Sequence, residues 1–209
     1  MATKSKVSFD LVLGIDCETS GIAMGFEDPV HHPDGVTKYQ AVSIGLVVAD
    51  VDTLLPIDEL YVEIQFDPEY TWDDKAEAVH GLSREYLATN GLSRADAAKA
   101  IREFLEKYYG PIEMIRKLPM LGHNVGTFDR LFFADLMTST NNNIQIGNRH
   151  IDTFTLGVTL LDLFSSNEIF DFFGLKRDPA NHNALQDTHF ALKAARMMRK
   201  FFKDACNGK

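Results

Sequence analysis

The chain has 209 residues, 45% apolar and 24% charged, enough to bury one sizeable core but short for two domains. Its formal net charge of −9 argues against a nucleic-acid binder with a broad basic face, and no apolar run reaches the length of a membrane span. The polar start Met1 to Lys6 leads into Asp10, Asp16 and Glu18 rather than an apolar segment, and two cysteines make no disulfide framework, so the expectation is no secretory signal and a reducing, cytoplasmic setting.

Residues 7–16 read as a first strand, rich in Val and Leu. The segment 20–40 is rich in Gly, Pro, Asp and His and reads as a long loop; its His31-His32 pair beside Pro33 reads as exposed loop. Residues 40–49 form a second strand, 50–59 hold turn residues, and 60–66 alternate as a third strand, giving an antiparallel meander. Residues 70–88 suggest short helical pieces around His80-Gly81. Residues 93–109 are the clearest amphipathic helix, with Ser93 as N-cap, Asp96 three positions on, and Gly110-Pro111 as the stop. A short strand follows at 118–124, then a helix at 127–138, a further strand at 144–151, helices at 153–164 and 168–173, and a final helix at 183–205. No repeat or linker interrupts this order. It predicts one α/β domain across residues 1–209, core about 7–205, with a mixed five-stranded sheet flanked by helices.

Three short motifs carry chemistry. In the first, Leu11-Val12-Leu13-Gly14-Ile15 runs into Asp16-Cys17-Glu18. Residues i and i+2 of a strand share a face, so the two acids sit roughly 6–7 Å apart on one side of a strand end. Such a pair at the edge of an apolar core is costly unless a cation neutralises it, and oxygen ligands suit Mg²⁺ or Mn²⁺. Cys17 points the other way, as a small core residue. In the second, a strand ends at His123-Asn124, and Gly126-Thr127 opens a helix whose first turn holds Asp129. In the third, His182 precedes the last helix and Asp187 lies in its first two turns, on a related azimuth. Taken singly, each has a plain structural reading: a polar strand end, a favourable helix start, a cap and a solvated acid.

In this order and company the motifs resemble the DEDDh 3′→5′ exonuclease superfamily, which includes the proofreading epsilon subunit, RNase T, oligoribonuclease and the three-prime repair exonucleases. The resemblance spans residues 9–205 and implies an RNase H-like fold. It implies that Asp16, Glu18, Asp129 and Asp187 bind two Mg²⁺ or Mn²⁺ ions. Asp16 would bridge them, Glu18 and Asp187 would complete one site, and Asp129 would serve the other. It makes His182 the general base, a role that suits an imidazole titrating near neutrality. Ala78-Val79-His80-Gly81-Leu82 resembles the turn that borders the 3′-terminal nucleotide in the family, so His80, Thr19 and Asn124 are implied substrate contacts. Asp152-Thr153 resembles a helix-start feature and is not counted as catalytic. Three residues separate His123-Asn124 from Phe128-Asp129, the longer spacing of the repair exonucleases.

The implied activity is hydrolysis of single-stranded 3′ ends, DNA first, with release of nucleoside 5′-monophosphates. An RNA-trimming enzyme and a non-catalytic polymerase-accessory module are the rival readings. A polymerase partner and an independent enzyme are both compatible with the motifs; a membrane partner is not. Two divalent ions would return about +4 to the acidic cluster, which would draw phosphate locally and predicts non-processive contact. Arg94, Lys99, Arg102, Lys107, Arg116 and Lys117 along one helix, and Lys193, Arg196, Arg199 and Lys200 along the last, read mainly as solvated faces. Phe26, Phe128 and Trp72 are the aromatics available to stack on bases, with core packing preferred for Phe128.

Overall fold

In the computed structural model of the chain, residues 10–22, 24–27, 36–115, 117–177 and 182–207 are described, those at 24–27 and 36–37 by backbone alone. The first strand, β1 (Leu11–Thr19), lies in the middle of a five-stranded sheet of order β5-β4-β1-β6-β7. β4 (Ala41–Asp50) and β5 (Pro56–Glu63) complete the antiparallel meander on one side of it. β6 (Met120–Gly122) and β7 (Ile151–Asp152) continue the sheet on the other side, parallel to β1. The expected mixed sheet is present, and helices cover both of its faces.

Alternation along the central strands sorts the core into two layers. Leu13, Ile15 and Cys17 of β1, with Ile44, Leu46 and Val48 of β4, face a cluster from α3 (Arg94–Tyr109) and α4 (Asp129–Ser139) that includes Ile101, Leu105, Phe132 and Phe133. Val12 of β1 and Val47 and Ala49 of β4 face the long last helix, α7 (Ala184–Asn207), through Ala191, Leu192 and Ala195. Because both faces are covered, β4 reads as an unbroken apolar run rather than an alternating one. Ser93 caps α3 as its sequence predicts: Ser93 Oγ accepts from the Asp96 N–H at 3.1 Å, and Gly110 ends the helix at φ 78°.

Local structure departs from expectation where composition misleads. The expected loop at 20–40 contains a small antiparallel hairpin, β2 (Met24–Glu27) with β3 (Val36–Lys38); His31 and His32 lie outside the described residues. β5 begins at Pro56, inside the segment read as turn. A proline at the first residue of an edge strand withholds no ladder hydrogen bond that the sheet needs. The strand expected at 144–151 reduces to the two residues of β7 and an isolated bridge between Leu118 and Ile146. Helical pieces at 70–88 resolve into α1 (Asp74–His80) and α2 (Arg84–Asn90), divided by Gly81 at φ 71°. Two short helices, α5 (Thr153–Leu161) and α6 (Ser166–Phe172), precede α7. Among the described residues, no helix is long and apolar enough to cross a membrane.

The last helix sits unusually close to the sheet. A Cβ on Gly45 would lie 2.4 Å from the Ala184 carbonyl carbon and the Leu185 nitrogen, and one on Gly14 would lie 2.9 Å from Thr188 Cγ2. The Thr188 hydroxyl fastens this seat through a 3.0 Å bond to the Gly45 carbonyl. Gly45→Ala therefore forces backbone against backbone, and a loss of about 2–3 kcal/mol is expected from overpacking. Urea unfolding measures it; a variant as stable as the parent would mean that the helix is not seated as described.

Candidate active site

The site forms where β1 outruns its parallel neighbour. β6 pairs with β1 only at Leu13 and Gly14 and turns away after Gly122, so the end of β1 has an unpaired edge. The Cys17 N–H on that edge is taken by Asp129 Oδ1 at 2.9 Å. This bond brings the first residue of α4 against the strand. Asp16 and Glu18 share the strand face of Gly14, the side on which α7 sits. α7 starts at Ala184, with Asn183 Oδ1 accepting from the Gln186 N–H at 3.1 Å, and its fourth residue is Asp187. Glu18, His182 and Asp187 offer ligand atoms that all lie within 4.8 Å of one another. A cavity of about 90 Å³ beside them is lined by Asp16, Cys17, His123, Asp129, Arg177 and Asp187. A roomier apolar cavity between α5 and α7, about 550 Å³, is lined by no carboxylate.

Electrostatics mark the cluster as an anion-rich site short of positive charge. Burial, then the charges of Asp129, Glu18 and Asp187, push the Asp16 carboxyl well above the usual range. Burial, then Asp187, raises Glu18 to about 7. Burial raises Asp129 to about 8, although the Cys17 N–H opposes it. Asp187 is also raised, chiefly by burial and despite the cation beside it. That cation is Arg177, whose Nε donates to Asp187 Oδ1 at 2.8 Å and whose Nη2 lies 2.6 Å from Oδ2.

The donor set fits hard divalent cations. The four carboxylates offer the hard oxygen ligands that Mg²⁺ and Mn²⁺ take. Asp129 Oδ2 is buried without a hydrogen-bond partner, a costly arrangement that a cation in the cluster relieves. All five residues singled out in the sequence thus line or border one site, drawn from β1, α4 and the start of α7.

The other expected contacts fall nearby with more structural roles. Thr19 is buried, and its hydroxyl donates to the Gly21 carbonyl at 2.8 Å. His80 closes α1; its Nδ1 accepts from the Leu82 N–H at 3.0 Å, so its proton sits on Nε2, and burial lowers its pKa to about 4. Asn124 adopts φ 57° at the turn from β6, and its N–H donates to Asp152 Oδ1 at 3.3 Å. Asp152 caps α5 through the Phe154 and Thr155 N–H groups, the helix-start role expected of it. Thr153 gives its hydroxyl proton to the Gly122 carbonyl, so His123 Nδ1, 3.2 Å away, must be the donor to Thr153 Oγ1. Phe128 stacks at 4.9 Å on Phe132 and also borders the acid cluster. Trp72 is held edge-on between Phe66 and His80.

Four of the basic residues on the two helices are engaged in internal pairs. Arg94 binds Asp135 and Tyr70, Arg102 binds Glu106 and Glu113, Lys107 binds Asp58, and Arg199 holds the Val51 and Asp52 carbonyls. Arg116 and the side chain of Phe26 lie outside the described residues. Arg177 is the functional residue that sequence reasoning missed. It stands five positions before His182 in a segment without periodic pattern, and only its fork onto Asp187 distinguishes it from Lys176.

No family model and no curated protein matches the sequence. Solved structures match its fold. A zinc-bound complex of E. coli ExoI with single-stranded DNA superposes with a TM-score of 0.70 at 15% identity, over 91% of this chain and 41% of that one. An Exonuclease I from Methylocaldum szegediense gives 0.68 at 16% identity, over 91% and 40%. A product-bound exonuclease I gives 0.68 at 14%, over 91% and 43%. The likeness shows that the fold is the RNase H-like exonuclease fold, and this chain spans about two fifths of the length of those chains.

Raised carboxyl pKa values make the metal-free fold bind more protons than the unfolded chain. The resulting stabilisation is complete below the ordinary values of 3.8 for Asp129 and 4.5 for Glu18, and is lost as pH rises through about 7 and 8. In EDTA, these groups should lower the Tm progressively between about pH 4.5 and pH 8, and Mn²⁺ should suppress the fall. Asp129→Asn, which mimics the protonated acid, should raise the metal-free Tm at pH 8 by about 2–4 °C, the shift worth ~1 kcal/mol in a chain of this size. Thermal unfolding of the two proteins checks both; a lower Tm for the variant contradicts the electrostatic account.

Proposed function

We propose that the chain is a DEDDh-type, divalent-metal-dependent 3′→5′ exonuclease. It removes nucleotides from single-stranded ends, DNA in preference to RNA, and releases nucleoside 5′-monophosphates. One observation carries the reading: acids from β1, α4 and α7 meet at one cleft, with His182 and Glu18 and Asp187 within 4.8 Å of each other. Its fold likeness to exonuclease I chains that hold single-stranded DNA supports the choice of substrate.

Asp16, Glu18, Asp129 and Asp187 would hold two Mg²⁺ or Mn²⁺ ions. Bound there, such ions supply Lewis-acid stabilisation to the attacking and leaving oxygens of a phosphodiester. The chain's own residues do the rest. An imidazole nitrogen of His182 takes the proton from the attacking water, whose oxygen bonds to phosphorus. The bond between phosphorus and the 3′ oxygen of the preceding nucleotide breaks, and that oxygen takes a proton from solvent. The phosphate leaves on the 5′ side of the released nucleotide. The carboxylate of Asp129, fixed by the Cys17 N–H, keeps its unpartnered oxygen turned to the cluster, ready for a cation without side-chain reorganisation. In this reading His80, Thr19 and Asn124 would contact the terminal nucleotide.

The test is digestion of 5′-labelled oligodeoxynucleotide and oligoribonucleotide, single- and double-stranded, with Mg²⁺, with Mn²⁺ and with EDTA. The expected result is stepwise shortening from the 3′ end of single-stranded DNA, abolished by EDTA, with mononucleotide 5′-phosphates as product. Faster shortening of the RNA would instead favour the RNA-trimming reading. His182→Ala should cut turnover by about 10²–10⁴-fold, the usual worth of a general base, while Mn²⁺ binding stays within about tenfold. Near-normal turnover of that variant would refute the assignment of the base.

A further inference from the structure

Arg177 forks onto one of the acids of the cluster. Both of its bonds to Asp187 go to a carboxylate that the proposed function assigns to a cation, and its side chain is only 12% exposed. The fork occupies both oxygens of Asp187, at 2.8 and 2.6 Å. A divalent ion bound to the same carboxylate would sit about 2.0–2.6 Å from an oxygen, well inside the range at which a guanidinium repels it strongly. Arg177 and a metal ion therefore make competing claims on one group.

The surroundings give the guanidinium somewhere else to go. Nη1 already reaches Asn167 Oδ1 at 3.1 Å, on α6, and lies 3.5 Å from Ser166 Oγ. The guanidinium carbon lies 5.1 Å from the centroid of the Phe170 ring, which can keep contact with it as it turns. Arg177 also forms the wall between the acid cluster and a second cavity of about 330 Å³, lined by Asn167, Phe170, Asp171, Leu175 and His182. That cavity is lined by neither Asp16 nor Asp129.

We propose that Arg177 is a displaceable internal counter-ion: it neutralises Asp187 until divalent cations bind, then releases it toward Asn167, and so sets the metal concentration at which the site assembles. The proposal rests on the exonuclease reading of the site. Its opposite is a fixed arginine that merely orients Asp187 for the metal. The two differ in sign. A competitor lowers metal affinity, and a positioning group raises it.

Mn²⁺ affinity of the full chain, measured by calorimetry and by the loss of the free-ion paramagnetic resonance signal, separates them. Arg177→Gln should bind Mn²⁺ about tenfold more tightly than the parent, the worth of one charge-assisted hydrogen bond, and Arg177→Lys, which keeps the charge but not the fork, should fall between. In EDTA the Tm of Arg177→Gln should lie below that of the parent, and in saturating Mn²⁺ the two should coincide. Unchanged or weaker Mn²⁺ binding by Arg177→Gln overturns the proposal; if that variant fails to fold, the same outcome in Arg177→Lys overturns it. If the parent takes up no Mn²⁺ that Asp187→Asn abolishes, the metal-site reading itself fails. Binding by the parent without tightening in the arginine variants defeats the counter-ion alone.

Discussion

At Gly45 the backbone of the last helix lies against the sheet with no space for even one methyl group, since a Cβ there would come within 2.4 Å of Ala184 and Leu185 backbone atoms. On the neighbouring strand a Cβ at Gly14 would lie 2.9 Å from the Thr188 side chain, and the Thr188 hydroxyl ties the helix to the Gly45 carbonyl. From this seat, Asp187 is delivered over the strand face that carries Asp16 and Glu18, and the residues just before the helix bring His182 alongside. If the helix stood farther out by the thickness of a side chain, it would still cover the core but could no longer close the cluster. Close approach of backbone to backbone is thus the constraint on which the geometry of the site depends.

The cluster so formed is electrostatically expensive. Its acids are pushed toward their protonated forms mainly by burial, and their mutual repulsion adds to the effect. Two devices offset part of the cost within the chain. The unpaired Cys17 amide stabilises Asp129, and the Arg177 fork stabilises Asp187. Neither fully compensates, because burial still outweighs the opposing terms at both acids. Such residual tension is the ordinary mark of a site that is completed by something the chain does not contain. Under the proposed function, the attraction of a polyanion to a chain of net charge −9 would be confined to the cleft and would arrive with the cations.

Elsewhere the charged residues serve the fold. Arg94 gathers Asp135, Tyr70 and Ser139, and Lys38 joins Asp135 from the end of the small hairpin, so α3, α4 and the edge of β3 are tied at one point. Arg199 holds the turn between β4 and β5. These groups look like a binding stripe along a helical wheel, yet their partners are already inside the molecule. The chains of similar fold are more than twice as long.

Much of this was readable in the residues alone. Apolar runs located β1 and β4, alternation located β5, and capping chemistry located α3; these are local signals, set by one residue and its near neighbours. The acids at Asp16, Glu18, Asp129 and Asp187 with His182 stood out only in their order and company, since each motif taken singly has a plain structural reading. Short edge strands such as β7 were overread, and the β2–β3 hairpin was missed, because pairing across a gap in sequence leaves little local trace. Arg177 was invisible for the same reason. Its significance is a distance to Asp187, ten positions away along the chain and across a turn, and no spacing rule encodes that. Sequence by itself determined which side chains carry charge, which elements form and which face of each is apolar. Only the tertiary structure decided that the four acids share one cleft, and which cation already sits among them, because convergence depends on packing contacts between segments more than a hundred residues apart, such as the Cys17–Asp129 bond with its separation of 112.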